Sequence, residues 1–146
     1  MKRFVFGFLF GLGGISTALA QQPSTDRVQV PASTGPYRPV VVAQNLFFFS
    51  GQTGQDPQTG RLVTGGVTAE THRILQTLKL RLQANHLTLR DVVNVTIYLT
   101  DMTHYVALNE VYRQYFTADF PARTCVAVTA LPGQAQVEIT LIAARP

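Results

Sequence analysis

Residues 121–128 read Pro121-Ala122-Arg123-Thr124-Cys125-Val126-Ala127-Val128, and residues 137–143 read Val137-Glu138-Ile139-Thr140-Leu141-Ile142-Ala143, with Pro132-Gly133 between them. The second run alternates apolar and polar residues, and Val126-Ala127-Val128 is strand-prone. A short Pro-Gly connection between two such runs predicts a pair of strands lying side by side. On that reading Arg123 and Glu138 share one sheet, a few ångströms apart. An arginine that keeps its proton, near a carboxylate that can handle one, suits a small anionic substrate. The alternative is a structural ion pair between the same two residues. Glu138 falls on a polar strand face with Gln136 and Thr140, opposite Val137, Ile139 and Leu141.

Upstream of this stretch the chain supplies the rest of an α+β domain. Val40-Val41-Val42 and Leu46-Phe47-Phe48-Phe49 are β-prone runs split by Ala43-Gln44-Asn45, which predicts a hairpin. Ser50-Gly51-Gln52 ends its second strand, and Asp56-Pro57-Gln58-Thr59-Gly60 has turn chemistry. From Val67, the residues Ile74, Leu75, Leu78 and Leu82 recur at helical spacing until Asn85-His86, types that tolerate a left-handed cap. Val92 to Thr100 is a predicted strand with Val93, Val95, Ile97 and Leu99 on its apolar face. A second helix follows, with Thr103 as its cap and Tyr105, Leu108, Tyr112 and Tyr115-Phe116 as its stripe. The predicted order is β-β-α-β-α-β-β, a mixed sheet with two helices on one face. Two helices leave the other sheet face uncovered, which points to self-association.

The chain of 146 residues is one domain in size. Its start has the form of a signal peptide: Lys2 and Arg3, an uncharged run from Phe4 to Ile15, then Ala18-Leu19-Ala20. Residues 1–20 are therefore expected to be removed on export to the periplasm or the medium, leaving no membrane segment. Residues 21–34 are expected to form a flexible lead, in which Arg27-Val28-Gln29-Val30 could pair as an edge strand, and residues 35–146 the folded domain. Without Lys2 and Arg3 the chain keeps 10 basic and 8 acidic residues, scattered rather than in a run, which argues against a nucleic-acid partner. Cys125 is the only cysteine, so no intrachain disulfide forms; it is buried, a site residue or an intermolecular partner, with burial in a strand the simplest reading and compatible with a pocket role. His72, His86 and His104 lack metal-ligand spacing, so no metal is expected. Gly11-Leu12-Gly13-Gly14 lies in the leader, and Asn94-Val95-Thr96, a glycosylation pattern, lies within a predicted strand; both are set aside.

The elements together resemble the RidA family, also called YjgF/YER057c/UK114, over Gly35 to Ala143. The residues that carry the resemblance are Gly35-Pro36-Tyr37, Ser50-Gly51-Gln52, Asp56-Pro57-Gln58-Thr59-Gly60, Asn109-Glu110-Val111-Tyr112 with Phe116, Pro121 to Val126, Leu131-Pro132 and Val137-Glu138-Ile139. The resemblance implies a chorismate-mutase-like fold, a homotrimer with a central barrel and clefts between subunits, and hydrolysis of 2-imino acids and their enamine tautomers to 2-keto acids and ammonia. It implies no cofactor. Residue by residue it implies that Arg123 binds the substrate carboxylate, Glu138 positions or activates water, and Tyr37 orients substrate or water at the cleft rim. Asn109 stands beside the site, Cys125 forms pocket wall, and Gly51 lets the ligand approach the backbone. Arg38-Pro39, Thr77, His86 and Thr140 depart from the family pattern, and Arg38 beside Tyr37 bears on substrate range. A trimeric ligand-binding or chaperone-like protein without catalysis is the alternative, and an endoribonuclease ranks below both.

Overall fold

The computed structural model describes residues 36–146. The predicted leader, the segment 21–34 with its edge strand, and Gly35 lie outside the described residues. The chain forms β1 (Val40–Ala43), β2 (Leu46–Thr53), α1 (Gly66–Ala84), β3 (Val92–Leu99), α2 (Tyr105–Tyr115), β4 (Ala122–Ala127) and β5 (Val137–Ala144). The five strands make one mixed sheet in the order β1-β2-β5-β3-β4. Both helices pack on one face. Ile74, Leu75, Leu78 and Leu82 of α1, with Leu108, Val111 and Tyr112 of α2, close over Phe47, Phe49, Val95, Ile97, Leu99, Val137, Ile139 and Leu141. The architecture is the expected α+β one.

The local chemistry explains the boundaries. Gln44-Asn45 forms the two-residue loop between β1 and β2, with Gln44 in the left-handed region at φ 57°. His86 takes φ 59° and ends the first helix as expected of its type. The second helix is capped differently from expectation. Thr103 does not cap it; Asp101 Oδ1 accepts from the Thr103 N–H at 2.8 Å and starts a 3-10 turn that leads into α2. A carboxylate and a hydroxyl are both good caps, and here the one two residues earlier is in place. In β3 the ladder to β5 shifts between Val92 and Asn94, so Val92 is buried and Val93 is 45% exposed. A bulge reverses the phase of alternation at one point, which strict period-two reading of Val93 could not anticipate.

The largest correction concerns the two C-terminal strands. They do not form a hairpin. β4 runs parallel to β3, while β5 lies on the other side of β3, antiparallel to it. Residues 128–136 therefore cross one strand position, by way of a 3-10 turn at Pro132–Gln134 with Gly133 at φ 63°. Tertiary pairing with β3 overrides the local hairpin signal.

Buried Glu70 on α1 joins the helix layer to the start of β5. It is 4% exposed, and its Oε2 accepts from the backbone N–H groups of Gln136 (2.9 Å) and Val137 (3.4 Å). Gly54 makes room for it. A Cβ at that position would stand 2.6 Å from Glu70 Cβ and 2.7 Å from its Cα. Gly54→Ala is therefore expected to destabilise the fold by about 1–3 kcal/mol, as overpacking against backbone does, seen as a lower denaturant midpoint at unchanged slope.

Candidate functional site

Arg123 points to the helix face. It stands in register with Val95, a fully buried core residue, and its side chain reaches α2. Its Nη1 donates to Asn109 Oδ1 at 2.8 Å and its Nη2 donates to the Tyr105 hydroxyl at 3.0 Å. The guanidinium carbon lies 4.7 Å from the centroid of the Tyr112 ring. Positions 105, 109 and 112 fall on one stripe of α2, so the helix presents all three partners together. Both hydrogen-bond partners are neutral. A guanidinium has five N–H donors, so the remaining ones can serve an anion. Arg123, Tyr105, Asn109, Tyr112, Arg113, Phe120 and Pro121 line a cleft of about 470 Å³.

Tyr112 is buried, its hydroxyl oxygen has no partner among the described residues, and burial pushes its pKa up to about 12 despite the opposing charge of Arg123. Tyr112→Phe keeps the ring under Arg123 and removes the unsatisfied hydroxyl. It is expected to leave stability unchanged or raise it by about 1 kcal/mol in a denaturant titration.

Cys125 follows two residues along the same face, in register with Ile97, and packs against the core. Burial pushes its pKa above the ordinary thiol value, with Arg123 acting in the other direction. A raised pKa keeps the thiol protonated at neutral pH, and the thiolate is the reactive species. Alkylation of Cys125 by iodoacetamide at pH 7.5 should therefore run slower than alkylation of an exposed thiol. It should accelerate only as the pH passes above the ordinary thiol range. A protonated thiol packed against the core argues against a nucleophile.

Glu138 is not beside Arg123. It pairs with Tyr98 on β3, and Arg123 pairs with Val95, three residues away, with β3 lying between their strands. Two strand spacings and three residues of rise put their Cα atoms roughly 14 Å apart. The residues also face opposite ways. Tyr98 and Glu138 are out of phase with the buried Ile97, Leu99, Val137 and Ile139, so Glu138 projects from the face without helices. The expectation that the two share one sheet neighbourhood is thus corrected, and an ion pair between them within this chain is excluded.

Glu138 has its own surroundings. Gly51, Tyr98, Leu131 and Thr140 line an opening of about 360 Å³ with it, and Gly51 abuts its carboxylate: a Cβ at Gly51 would overlap Glu138 Oε1. Gly51 therefore admits the carboxylate of Glu138 against the backbone, which adds to the expected role of admitting a ligand. The strand does not end at Ser50-Gly51-Gln52. β2 continues to Thr53 through a shift in register between Phe49 and Gln52. A second cleft of about 460 Å³ is lined by Glu138 and Gly51 together with Tyr37, Asp56, Thr77 and Arg81. Asp56 anchors its turn, accepting from the N–H of Gln58 (2.8 Å) and of Thr59 (3.2 Å) and pairing with Arg73 at 3.3 Å. The two backbone hydrogen bonds hold its carboxyl below the usual carboxylate range.

The candidate residues thus fall into two sets within one chain. Arg123, Asn109 and Cys125 stand on the helix side with Tyr105 and Tyr112. Tyr37, Gly51 and Glu138 stand at the other. Tyr105 and Tyr112 were legible only as an apolar stripe; their i, i+7 spacing around Asn109 was the available signal. Arg81 carried none, because one arginine in an amphipathic helix looks like a solvated position. Among the described residues no cluster of three His, Cys, Asp or Glu could hold a metal ion.

The chain has relatives among known proteins. The family model described as Endoribonuclease L-PSP matches residues 28–145. The 2-iminobutanoate/2-iminopropanoate deaminase of Capra hircus is 41% identical over 115 residues, covering 79% of this chain and 84% of that protein. Among solved structures, the YjgF gene product of E. coli superposes with a TM-score of 0.74 at 34% identity, covering 80% of this chain and 93% of that one. E. coli TdcF, solved with bound serine, gives a TM-score of 0.74 at 33% identity, covering 86% and 99%.

Proposed function

The chain belongs to the Endoribonuclease L-PSP family, the RidA family of the resemblance above, and from that membership we propose that it hydrolyses 2-imino acids to 2-keto acids and ammonia. The observation that carries the proposal for the site is Arg123 itself. It is a half-buried arginine in an open cleft, fixed by two neutral groups and paired with no carboxylate among the described residues. That is the state of a cation kept for a ligand. The carboxylate of the imino acid takes its free N–H donors, bidentate as the planar fork allows. Water adds to the imine carbon as Glu138 takes its proton. That proton passes to the imine nitrogen to give the neutral amino alcohol; the hydroxyl proton then moves by way of Glu138 to the amino group, so that ammonia leaves as the C–N bond breaks and the carbonyl of the keto acid forms. Tyr37 orients substrate or water at the rim.

Because Arg123 and Glu138 stand on opposite sides of one sheet, the reaction needs two chains. A homotrimer in which one subunit supplies Arg123, Asn109 and Cys125 and the next supplies Glu138, Gly51 and Tyr37 meets that requirement. The face without helices supports association. Val41, Phe48 and Ile142 are paired across three adjacent strands there, and Val41 and Phe48 are 37% and 40% exposed. A row of apolar side chains on an open sheet is a surface that another copy covers. Sedimentation equilibrium giving a monomer would remove the basis of the shared site.

Export remains part of the proposal, on the form of residues 1–20. Intact mass of the protein recovered from its own cell envelope checks it: loss of residues 1–20 supports it and a full-length chain removes it. The catalytic proposal is tested by generating imine in place with an amino-acid oxidase and following its loss with semicarbazide. Faster disappearance of imine with the protein than without it supports the reading, and no difference overturns it. The serine bound in TdcF favours small amino-acid-like ligands for that relative, and so supports non-catalytic ligand binding as the second reading here. Cleavage of RNA has less support, because the charges are scattered and form no track for a phosphate backbone.

A further inference from the structure

The 460 Å³ cleft beside Glu138 contains an arginine, Arg81, that the reaction above does not use. Arg81 lies in the last turn of α1, on the same stripe as Arg73 and Thr77. Arg73 is engaged with Asp56 at 3.3 Å, and the other oxygen of Asp56 is held by its own turn. The carboxylate on that side of the cleft is thereby committed. Arg81 is half-buried. Among the described residues its guanidinium donates no hydrogen bond and meets no carboxylate within ion-pair distance, and only its backbone oxygen is engaged, by Asn85. Tyr37 is its electrostatic neighbour, and burial lowers its pKa from the ordinary arginine value. A cation in the last turn favours the helix dipole, but that is satisfied equally by a side chain in solvent. It does not account for a guanidinium drawn into a cleft with Tyr37 and Glu138.

We propose that Arg81 determines specificity in this cleft by taking the distal carboxylate of a dicarboxylic substrate, an imino acid of the acidic amino-acid type. The proposal rests on the deaminase reading for the identity of the reacting end. The 2-carboxylate sits on Arg123 of one subunit, the imine carbon faces Glu138 of the next, and the side-chain carboxylate extends along the cleft to Arg81. The charge favours one carboxylate over a phosphate. Arg73 and Asp56 cancel, and Arg81 and Glu138 are formally balanced, so a ligand group that brings one negative charge to the guanidinium meets less repulsion than a phosphate that brings two.

The test measures binding of the two corresponding products, 2-oxoglutarate and 2-oxobutanoate, by calorimetry to the intact oligomer. The wild-type protein is expected to bind 2-oxoglutarate about tenfold more tightly, the worth of one charge-assisted hydrogen-bonding contact. Arg81→Leu should abolish that preference and leave 2-oxobutanoate binding within about twofold, and Arg81→Lys should retain part of it. Thermal melts of both variants check folding, and the lysine variant keeps the test open if the leucine variant is unstable. Equal binding of the two acids by the wild type, equal weakening of both in Arg81→Leu, or no measurable binding of 2-oxoglutarate overturns the proposal. Since calorimetry needs no turnover, a protein that hydrolyses no imine yet shows the Arg81-dependent preference overturns the deaminase reading and leaves this assignment standing. An active deaminase without the preference does the reverse.

Discussion

Arg123→Ala is expected to lower kcat/KM for imine hydrolysis by about two orders of magnitude, with most of the loss in KM. A charge-assisted bidentate contact to a carboxylate is worth about 3 kcal/mol, and each 1.4 kcal/mol is a factor of ten. The substrate carboxylate carries the same charge in the bound imine and in the transition state. Its clamp therefore contributes uniform binding, which shows in KM before it shows in kcat. Arg123→Lys keeps the charge and loses the fork, so it should fall between wild type and alanine. The fold should tolerate both changes. Arg123 sits at the edge of the core with neutral partners, Asn109 and Tyr105, that are themselves half-buried and can turn to water. Thermal melting together with initial-rate kinetics separates the two effects. A KM unchanged in Arg123→Ala would show that the carboxylate binds elsewhere.

How much of this was visible in the chain depends on whether the signal was local. The helices and their buried faces follow from spacing, and every one of Ile74, Leu75, Leu78 and Leu82 is fully buried. The turn at Asp56 follows from its own side-chain chemistry, since Asp56 accepts from residues two and three positions on. Strand pairing is not local. Nothing in Leu131-Pro132-Gly133 distinguishes a hairpin turn from a crossing to the far side of β3, because the choice is made by the partner strand. The consequence for the site was large: a pair of residues expected together was placed on opposite faces. The bulge at Val93 follows the same principle at smaller scale, since its shift is fixed by the pairing with β5. The cap at Asp101 is local, but Asp101 and Thr103 are both good caps and the chain alone does not choose between them. Arg81 was invisible for a different reason. Its periodicity suits an exposed helix position, and only the fold brings Tyr37, Gly51 and Glu138 to line a cleft with it.

The separation of Arg123 from Glu138 leads to the second large effect. Glu138→Gln keeps the shape and removes the base, so kcat should fall by about 10²- to 10⁴-fold while KM stays near that of the wild type. The amide fits the same space against Gly51, which excludes a packing explanation for the loss. The more decisive result comes from mixing. If each site takes Arg123 from one subunit and Glu138 from the next, a mixed trimer of Arg123→Ala and Glu138→Gln chains has one interface that carries both wild-type groups. It also has one that lacks both and one that lacks a single group. Three-quarters of the trimers formed from equal amounts are mixed, so the mixture should recover about a quarter of wild-type activity after dissociation and reassembly. Assayed at substrate well below KM, each variant treated alone should stay at about a hundredth of wild-type activity or less. A site built within a single chain gives no recovery under any mixing ratio. A site of two chains with the partition assigned differently is exposed by pairing each variant with Asn109→Ala. That change should fail to complement Arg123→Ala and should complement Glu138→Gln, because Asn109 and Arg123 are joined in one chain by the 2.8 Å hydrogen bond.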